Sequence, residues 1–353
     1  MLKLNTWNRL QREKRIMGKN NITITDIAKE AGVSKATVSR VLNNSAAVDE
    51  KTRKHVLDVM KKNRYSPSAT ARSLSKQVSS TIGVIVPEVD NNFFGEMIRG
   101  VIDITDKNDL TLICCNTDDS ADKDLKALDM LKSHRIRGLI YDPAIDYSTD
   151  KEKKKVTQKL KELGAPVVVV DRNIGLNHDG IFFNDYKAVY ESVTALIENG
   201  HRKIAIINGT QERVLARERQ QGFMDAMKDA GVTLCEDYIF FGDYSMDSAY
   251  NLTKELLKLN EQPTAVVTCN NQTSKGFLKA IYEVGKKVPK DYTNIALDKV
   301  GMLNILGIPY DYIERNAYQL GKKAMELLIQ RIAFPEMPLQ KIILEAPFMR
   351  QTF

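Results

Sequence analysis

The chain has no long apolar run. Its longest, such as Val167–Val170, are strand-sized, whereas a membrane-spanning helix needs roughly 20 apolar residues. The basic N-terminus is not followed by an apolar h-region or an A-x-A site, so no secretory signal is expected. Cysteine is scarce. Of the four, Cys114 and Cys115 are adjacent while Cys235 and Cys269 stand alone, with no C-x-x-C and no Cys/His metal spacing. That argues against a zinc module or a disulfide scaffold and fits a reducing, cytosolic compartment. His55, His134 and His178 have no partner pattern, and His201 sits at a helix-to-strand turn, where a structural role is expected. No metal and no cofactor is expected. G-x-G-x-x-G, G-x-x-x-x-G-K-[ST] and G-x-S-x-G are all missing. Without a phosphate cradle or a nucleophile elbow, the sequence offers no enzyme motif.

What is present is an ordinary soluble composition with an uneven charge. The 353 residues are 43% apolar and 27% charged, with a mean hydropathy of −0.32. That is enough for a real core and for two or three domains. Residues 1–80 carry 17 Lys+Arg against 6 Asp+Glu, and residues 81–353 carry 35 against 39. The net +7 therefore hides a basic head on a mildly acidic body. A nucleic-acid-binding module joined to a separate domain gives this asymmetry. A basic tail serving only solubility is the alternative.

The pattern along the chain divides it into four. Residues 1–20 have six basic residues, one acid and no periodicity, and read as a disordered basic arm; Met17 is a second candidate start of translation. Residues 21–66 show short helices broken by turns, with Ala28, Ala31, Val33, Val38, Val41 and Leu42 as a small core. Thr25 is expected to cap a first helix from Asp26, Gly32 to end it, Ser34 to cap a second through Val41, and a third to span about Asp49–Asn63. Residues 67–79 read as a short helix and linker after Pro67, marginal in isolation. Residues 80–353 alternate strands and helices. Strands are expected at Thr81–Val86, Thr111–Cys115, Gly138–Tyr141, Pro166–Asp171, Lys203–Asn208, Thr264–Thr268 and Thr293–Leu297. Helices are expected at Phe94–Asp106, Tyr186–Asn199, Gln220–Ala230 and Asn271–Val284. Such alternation implies parallel sheets covered on both faces, and so many strands imply two doubly wound α/β lobes. Ligands of such folds sit beyond the strands' carboxyl ends, which makes Asp90–Phe94, Asp171, Arg172, Asn270, Asn271 and Asp298 candidates.

Residues Ile24–Asn43 (ITDIAKEAGVSKATVSRVLN) have helix-turn-helix spacing. Ala28 lets the two helices approach, Gly32 makes the turn, and Val33 and Val38 face inward. Lys35, Ala36, Thr37, Ser39 and Arg40 are left on the outer face of the second helix, as a major-groove recognition helix requires. With the following Tyr65–Leu74 (YSPSATARSL), this segment resembles the head and hinge of the LacI/GalR family of bacterial transcription regulators. The resemblance extends over roughly residues 22–346, through Asn92–Phe94, Val170–Arg172, Gly200–Ala205, Arg219–Phe223 and Pro263–Ala265. It implies an all-α helix-turn-helix head, a hinge helix that folds on the operator, and a two-lobed core like periplasmic sugar-binding proteins. By the same resemblance Lys35, Ala36 and Arg40 would face bases, and Ser34, Thr37, Ser39 and Asn43 would hold phosphates. Leu74 would wedge into the minor groove, and Ala71 would let paired hinge helices pack. The family usually has Asn where Ser68 stands.

The family's core closes on a small molecule, most often a sugar or nucleoside. Asp, Asn and Arg suit its hydroxyls and Phe its ring. Motif position marks Asn92, Phe93, Asp171, Arg172, Arg219, Asn270, Asp298 and Arg315. Three departures stand out: Asn271 where Asp is usual, Ala296–Lys299 (ALDK) where Gly-Tyr/Phe-Asp-Asp is usual, and Glu314–Asn316 (ERN) where a Gln or similar neutral residue often sits. Arg172, Arg219 and Arg315 are therefore expected to converge with fewer acids around them than is usual in the family. Such a cluster suits an acidic or phosphorylated sugar; pairing of Arg315 with Asp298 or Glu314 is the competing expectation. The whole reads as a repressor of carbohydrate-utilisation genes that binds a palindromic double-stranded DNA operator as a homodimer. With no heptad tail before Phe353, no tail-driven tetramer is expected. An enzyme and a periplasmic binding protein are the alternatives, disfavoured by the missing motifs and the missing signal respectively. Some family members answer to a phosphorylated carrier protein, and no residue here demands that partner.

Overall fold

A computed structural model describes residues 22–42, 45–65, 79–147 and 149–350. Asn43, Ser68, Ala71 and Leu74 lie outside them, as do the expected arm and nearly all of the expected hinge. The chain divides into two compact units between Val78 and Ser79.

The head is three helices: α1 (Ile24–Glu30), α2 (Lys35–Leu42) and α3 (Glu50–Lys62). The first starts earlier than expected, because Thr23 and not Thr25 is its cap. The Thr23 hydroxyl accepts from the Asp26 amide while the Asp26 carboxylate accepts from the Thr23 amide, a reciprocal capping box. Gly32 at φ +65° makes the turn. Asp49 caps α3 by accepting from the Thr52 amide at 2.9 Å. Ile27, Ala28, Val38, Val41, Val56 and Val59 are all buried between the three helices.

The second unit contains two six-stranded sheets. In the N-terminal lobe β1 (Thr81–Val86), β2 (Thr111–Asn116), β3 (Gly138–Tyr141), β4 (Val167–Val170), β5 (Asp179–Phe183) and β11 (Lys341–Leu344) pair in the order β11-β5-β4-β3-β1-β2. In the C-terminal lobe β6 (Ile204–Asn208), β7 (Ile239–Phe241), β8 (Ala265–Thr268), β9 (Thr293–Leu297), β10 (Asp311–Ile313) and β12 (Phe348–Met349) repeat that arrangement as β12-β10-β9-β8-β6-β7. The pairings are parallel except that of β12 with β10. Central strands such as Val167–Val170 are buried throughout, as strands covered on both faces must be.

Helices α4 (Asn92–Lys107) and α12 (Ala317–Ala333) cover one face of the first sheet, α5 (Ala121–Ser133) and α6 (Asp150–Leu163) the other. On the second sheet α7 (Asp185–Glu198) and α8 (Val214–Asp229) face α9 (Met246–Leu256), α10 (Asn271–Glu283) and the short α11 (Gly301–Ile305). Where α4 and α12 cross, a Cβ on Gly100 would strike the Tyr318 carbonyl and one on Gly321 the Met97 carbonyl. Only glycine permits that approach.

The chain passes between lobes three times, from Phe183 to Asp185, from Ile313 to Ala317 and from Leu344 to Phe348. These crossovers put the carboxyl ends of both sheets on one interlobe cleft.

Candidate functional site

The head's outward face is built by capping. The Ser34 hydroxyl accepts from the Thr37 amide at 3.1 Å and starts α2. Burial of Val38 and Val41 then turns Lys35, Ala36 and Arg40 fully outward, with Thr37 and Ser39 half exposed beside them. Two cations and three small or hydroxylated side chains thus share one face of the helix. That suits phosphates and base edges.

The interlobe cleft holds a cavity of about 40 Å³. Phe93, Asp171, Arg172, Arg219, Asn270, Asp298 and Arg315 all line it, with Asn91, Asp119 and Tyr244 among the others. Asn92 does not. It is exposed on the first turn of α4 and lines the neighbouring cavity beside Glu96 and Arg99. Its neighbour Asn91 is the cleft residue: its Oδ1 accepts from the Phe93 amide at 3.1 Å and, across the cleft, from the Asn271 side chain at 2.8 Å. The helix cap decides this one-residue shift. The Asn270 carboxamide is itself occupied, capping α10 through Thr273 and donating to the Tyr244 carbonyl.

The arginines do converge. Arg219 is 1% exposed. Its Nε and Nη2 donate to Asp185 at 2.8 and 2.7 Å and its Nη1 to the Cys269 carbonyl at 2.6 Å. Arg315 forks onto Asp298 with two bonds of 2.8 Å and reaches Asp171 at 3.0 Å. Arg172 donates to Asp119 at 2.6 Å and lies 3.7 Å from Asp142. Every one of these guanidiniums has a carboxylate partner, so the arginines do not stand free in the cleft. Arg315 pairs with Asp298, as the competing expectation held, and not with Glu314.

Burial pushes the Asp171 carboxyl up, and the Arg315 guanidinium beside it works in the opposite direction. Asp142, fully enclosed and with neither oxygen hydrogen-bonded, is pushed well up by burial, against the pull of Arg172. Tyr244, whose phenol is pushed up to about 12 by burial, stays neutral and donates to Asn208 at 3.1 Å. Asp171 and Asp298 adopt left-handed backbone conformations, φ +55° and +73°, a strain of the kind that collects at binding sites.

Outside the cleft, His201 Nδ1 bonds the Thr264 hydroxyl at 2.8 Å, which ties a turn. No helix among the described residues is long and apolar enough to cross a membrane.

Together these features define a two-lobed ligand-binding core joined to a helix-turn-helix head. Residues 79–352 match the family of periplasmic binding proteins and sugar binding domains of the LacI family, and residues 23–68 match the bacterial regulatory proteins of the lacI family. The chain belongs to the LacI family of DNA-binding regulators. It is 34% identical to the HTH-type transcriptional repressor PurR of Mannheimia succiniciproducens over 312 residues, 88% of this chain and 92% of the relative. It is 31% identical to catabolite control protein A of Priestia megaterium, over 87% and 92%. Among solved structures, the lac repressor dimer bound to operator and the anti-inducer ONPF superposes with a TM-score of 0.82 at 24% identity, over 94% of this chain and 98% of that one. That last likeness is one of fold.

Proposed function

We propose that this protein is a cytoplasmic repressor of carbohydrate-utilisation genes that binds a palindromic operator as a homodimer and is controlled by a small effector in the interlobe cleft. Lys35, Ala36 and Arg40 read bases, and Ser34, Thr37, Ser39 and Asn43 hold phosphates. Leu74 wedges the minor groove while Ala71 packs the paired hinge. Two relatives carrying the names repressor and control protein support this reading. The dimer is supported by α11, where Met302, Ile305 and the adjacent Leu306 are 62%, 85% and 62% exposed. Large apolar side chains grouped on a short helix fit a self-association face better than scattered surface residues do.

The observation that carries the effector reading is the pairing of every cleft arginine with a carboxylate, beside the ring of Phe93. An anionic sugar that engaged Arg219 or Arg315 would have to break an ion pair with a buried aspartate. Hydroxyl groups both donate and accept, so they insert among Asp171, Arg172, Arg219 and Asp298 without adding charge. A neutral sugar or nucleoside is the better fit than the sugar acid or sugar phosphate that the arginines alone implied. By linkage, effector and operator change each other's affinity by the same factor.

Thermal melts of the purified protein with ribose, glucose, adenosine, glucuronate and glucose 6-phosphate test this. A neutral compound is expected to raise the midpoint, with about 2.7 kcal/mol of stabilisation at a hundred times its dissociation constant. A rise with the anionic compounds alone would overturn the neutral reading and restore the acidic one.

A further inference from the structure

Arg315 occupies an unusual place. It lies on the second crossover, between β10 and α12, so it belongs to the hinge of the two lobes. Asp171 follows β4 and Asp298 follows β9, and these strands hold the same position in the two sheets. The two left-handed aspartates are thus counterparts, one from each lobe, and Arg315 joins them. Its side chain is 4% exposed. Nε and Nη2 take Asp298, Nη1 takes Asp171, and Asp185 on the first crossover stands 3.7 Å away. The guanidinium also lies 4.6 Å from the ring centre of Phe93 and 5.6 Å from that of Phe183, both in the N-terminal lobe. A planar cation over two aromatic rings of the N-terminal lobe, forked onto Asp298 of the C-terminal lobe and touching Asp171, is bound from both sides of the cleft.

We propose that Arg315 is a tethered guanidinium ligand of this cleft, which fastens the lobes together when no small molecule is bound. The neutral residue often found there in the family could not do this: it has no charge to satisfy Asp171 and Asp298 at once. Arg213 and Asn271 cross the cleft as well, to the Ala144 carbonyl and to Asn91. The Asp146 carboxylate also crosses, accepting from the Val214 amide, and Arg213 lies 3.5 Å from Asp119; among the described residues only Arg315 neutralises a buried carboxylate in each lobe. Losing its charge leaves two buried carboxylates facing one another, and separation of the lobes rehydrates them. The inference goes beyond the effector reading, since it concerns the core with no effector present.

The test is a distance across the cleft. Spin labels are placed through Lys126→Cys on α5 and Asn251→Cys on α9, both exposed, with the exposed Cys114 changed to serine. The unsubstituted hinge is expected to give one short distance without any ligand. Arg315→Ala is expected to shift the population to a longer distance, and millimolar ethylguanidinium, but not ethylammonium, to restore the short one. Asp171→Asn leaves the Asp298 fork intact and is expected to lengthen the distance too, which keeps the test open if Arg315→Ala fails to fold. A short distance in the folded variants overturns the latch, as does a long one in the unsubstituted, ligand-free protein. Failure of ethylguanidinium to close an opened Arg315→Ala core overturns the assignment of the cleft as a guanidinium site.

Discussion

Ile305→Glu is expected to convert the proposed dimer to monomers and to weaken operator binding by about two to four orders of magnitude. Ile305 is 85% exposed at the end of α11, with Met302 and Leu306 beside it. A dimer covers these side chains, and a glutamate there would have to lose its hydration against an apolar partner surface. The folded monomer is little affected, because the residue touches solvent on most of its surface. The loss on DNA comes from geometry: two heads on one dimer make the second half-site contact intramolecular, and separated heads lose that effective concentration. Sedimentation checks the mass, and fluorescence anisotropy on an operator duplex checks the affinity. A variant that still sediments as a dimer would place self-association on another face.

Arg219→Ala is expected to cost the core about 3–5 kcal/mol, the range for removing one partner of a buried ion pair. Burial alone would lower the Arg219 pKa, and its neighbours together, the Asp185 carboxylate foremost, more than offset that. Take the guanidinium away and Asp185, 1% exposed, loses its hydrogen-bonded cation and is left with Arg315 at 3.7 Å, while the Cys269 carbonyl loses its donor. The ring of Tyr244, 5.3 Å from the guanidinium carbon, loses the cation above it. Because much of the cost is the stranded aspartate, Arg219→Met combined with Asp185→Leu is expected to recover a large part of it. Urea unfolding of the three proteins measures both values. A loss under about 1 kcal/mol for the single variant would show that the pair is not structural.

The periodic parts of the fold were legible in the chain. Thr81–Val86, Gly138–Tyr141 and Thr293–Leu297 are strands with the expected ends, and α10 ends within one residue of the expected place. The strands not foreseen are β5, β7, β10, β11 and β12, for a common reason. Each is short or opens on polar residues. Asp179–Phe183 begins Asp-Gly, and its Asp179 is fixed by Arg331, 152 residues away. Lys341–Leu344 pairs with it across 161 positions.

The cleft was legible as a set of residue types, and seven of its eight expected residues line it. Its electrostatics were not, because charge balance depends on partners set by topology. Arg315 meets Asp171 across 144 positions and Arg219 meets Asp185 across 34. Motif spacing shows arginines but not which carboxylate each will face. At Thr23 against Thr25, and Asn91 against Asn92, the error was one of capping frame, which hydrogen bonds decide and composition does not.

Selection of duplexes from a random pool by the full-length protein tests the central claim most directly. The expected result is a palindrome whose half-sites lie about one helical turn apart, with preference at the bases relaxed by Lys35→Ala and Arg40→Ala, at about 1–3 kcal/mol per lost contact. Enrichment of no sequence, or of one whose preference both variants leave unchanged, would contradict the assignment of α2 as the reading helix.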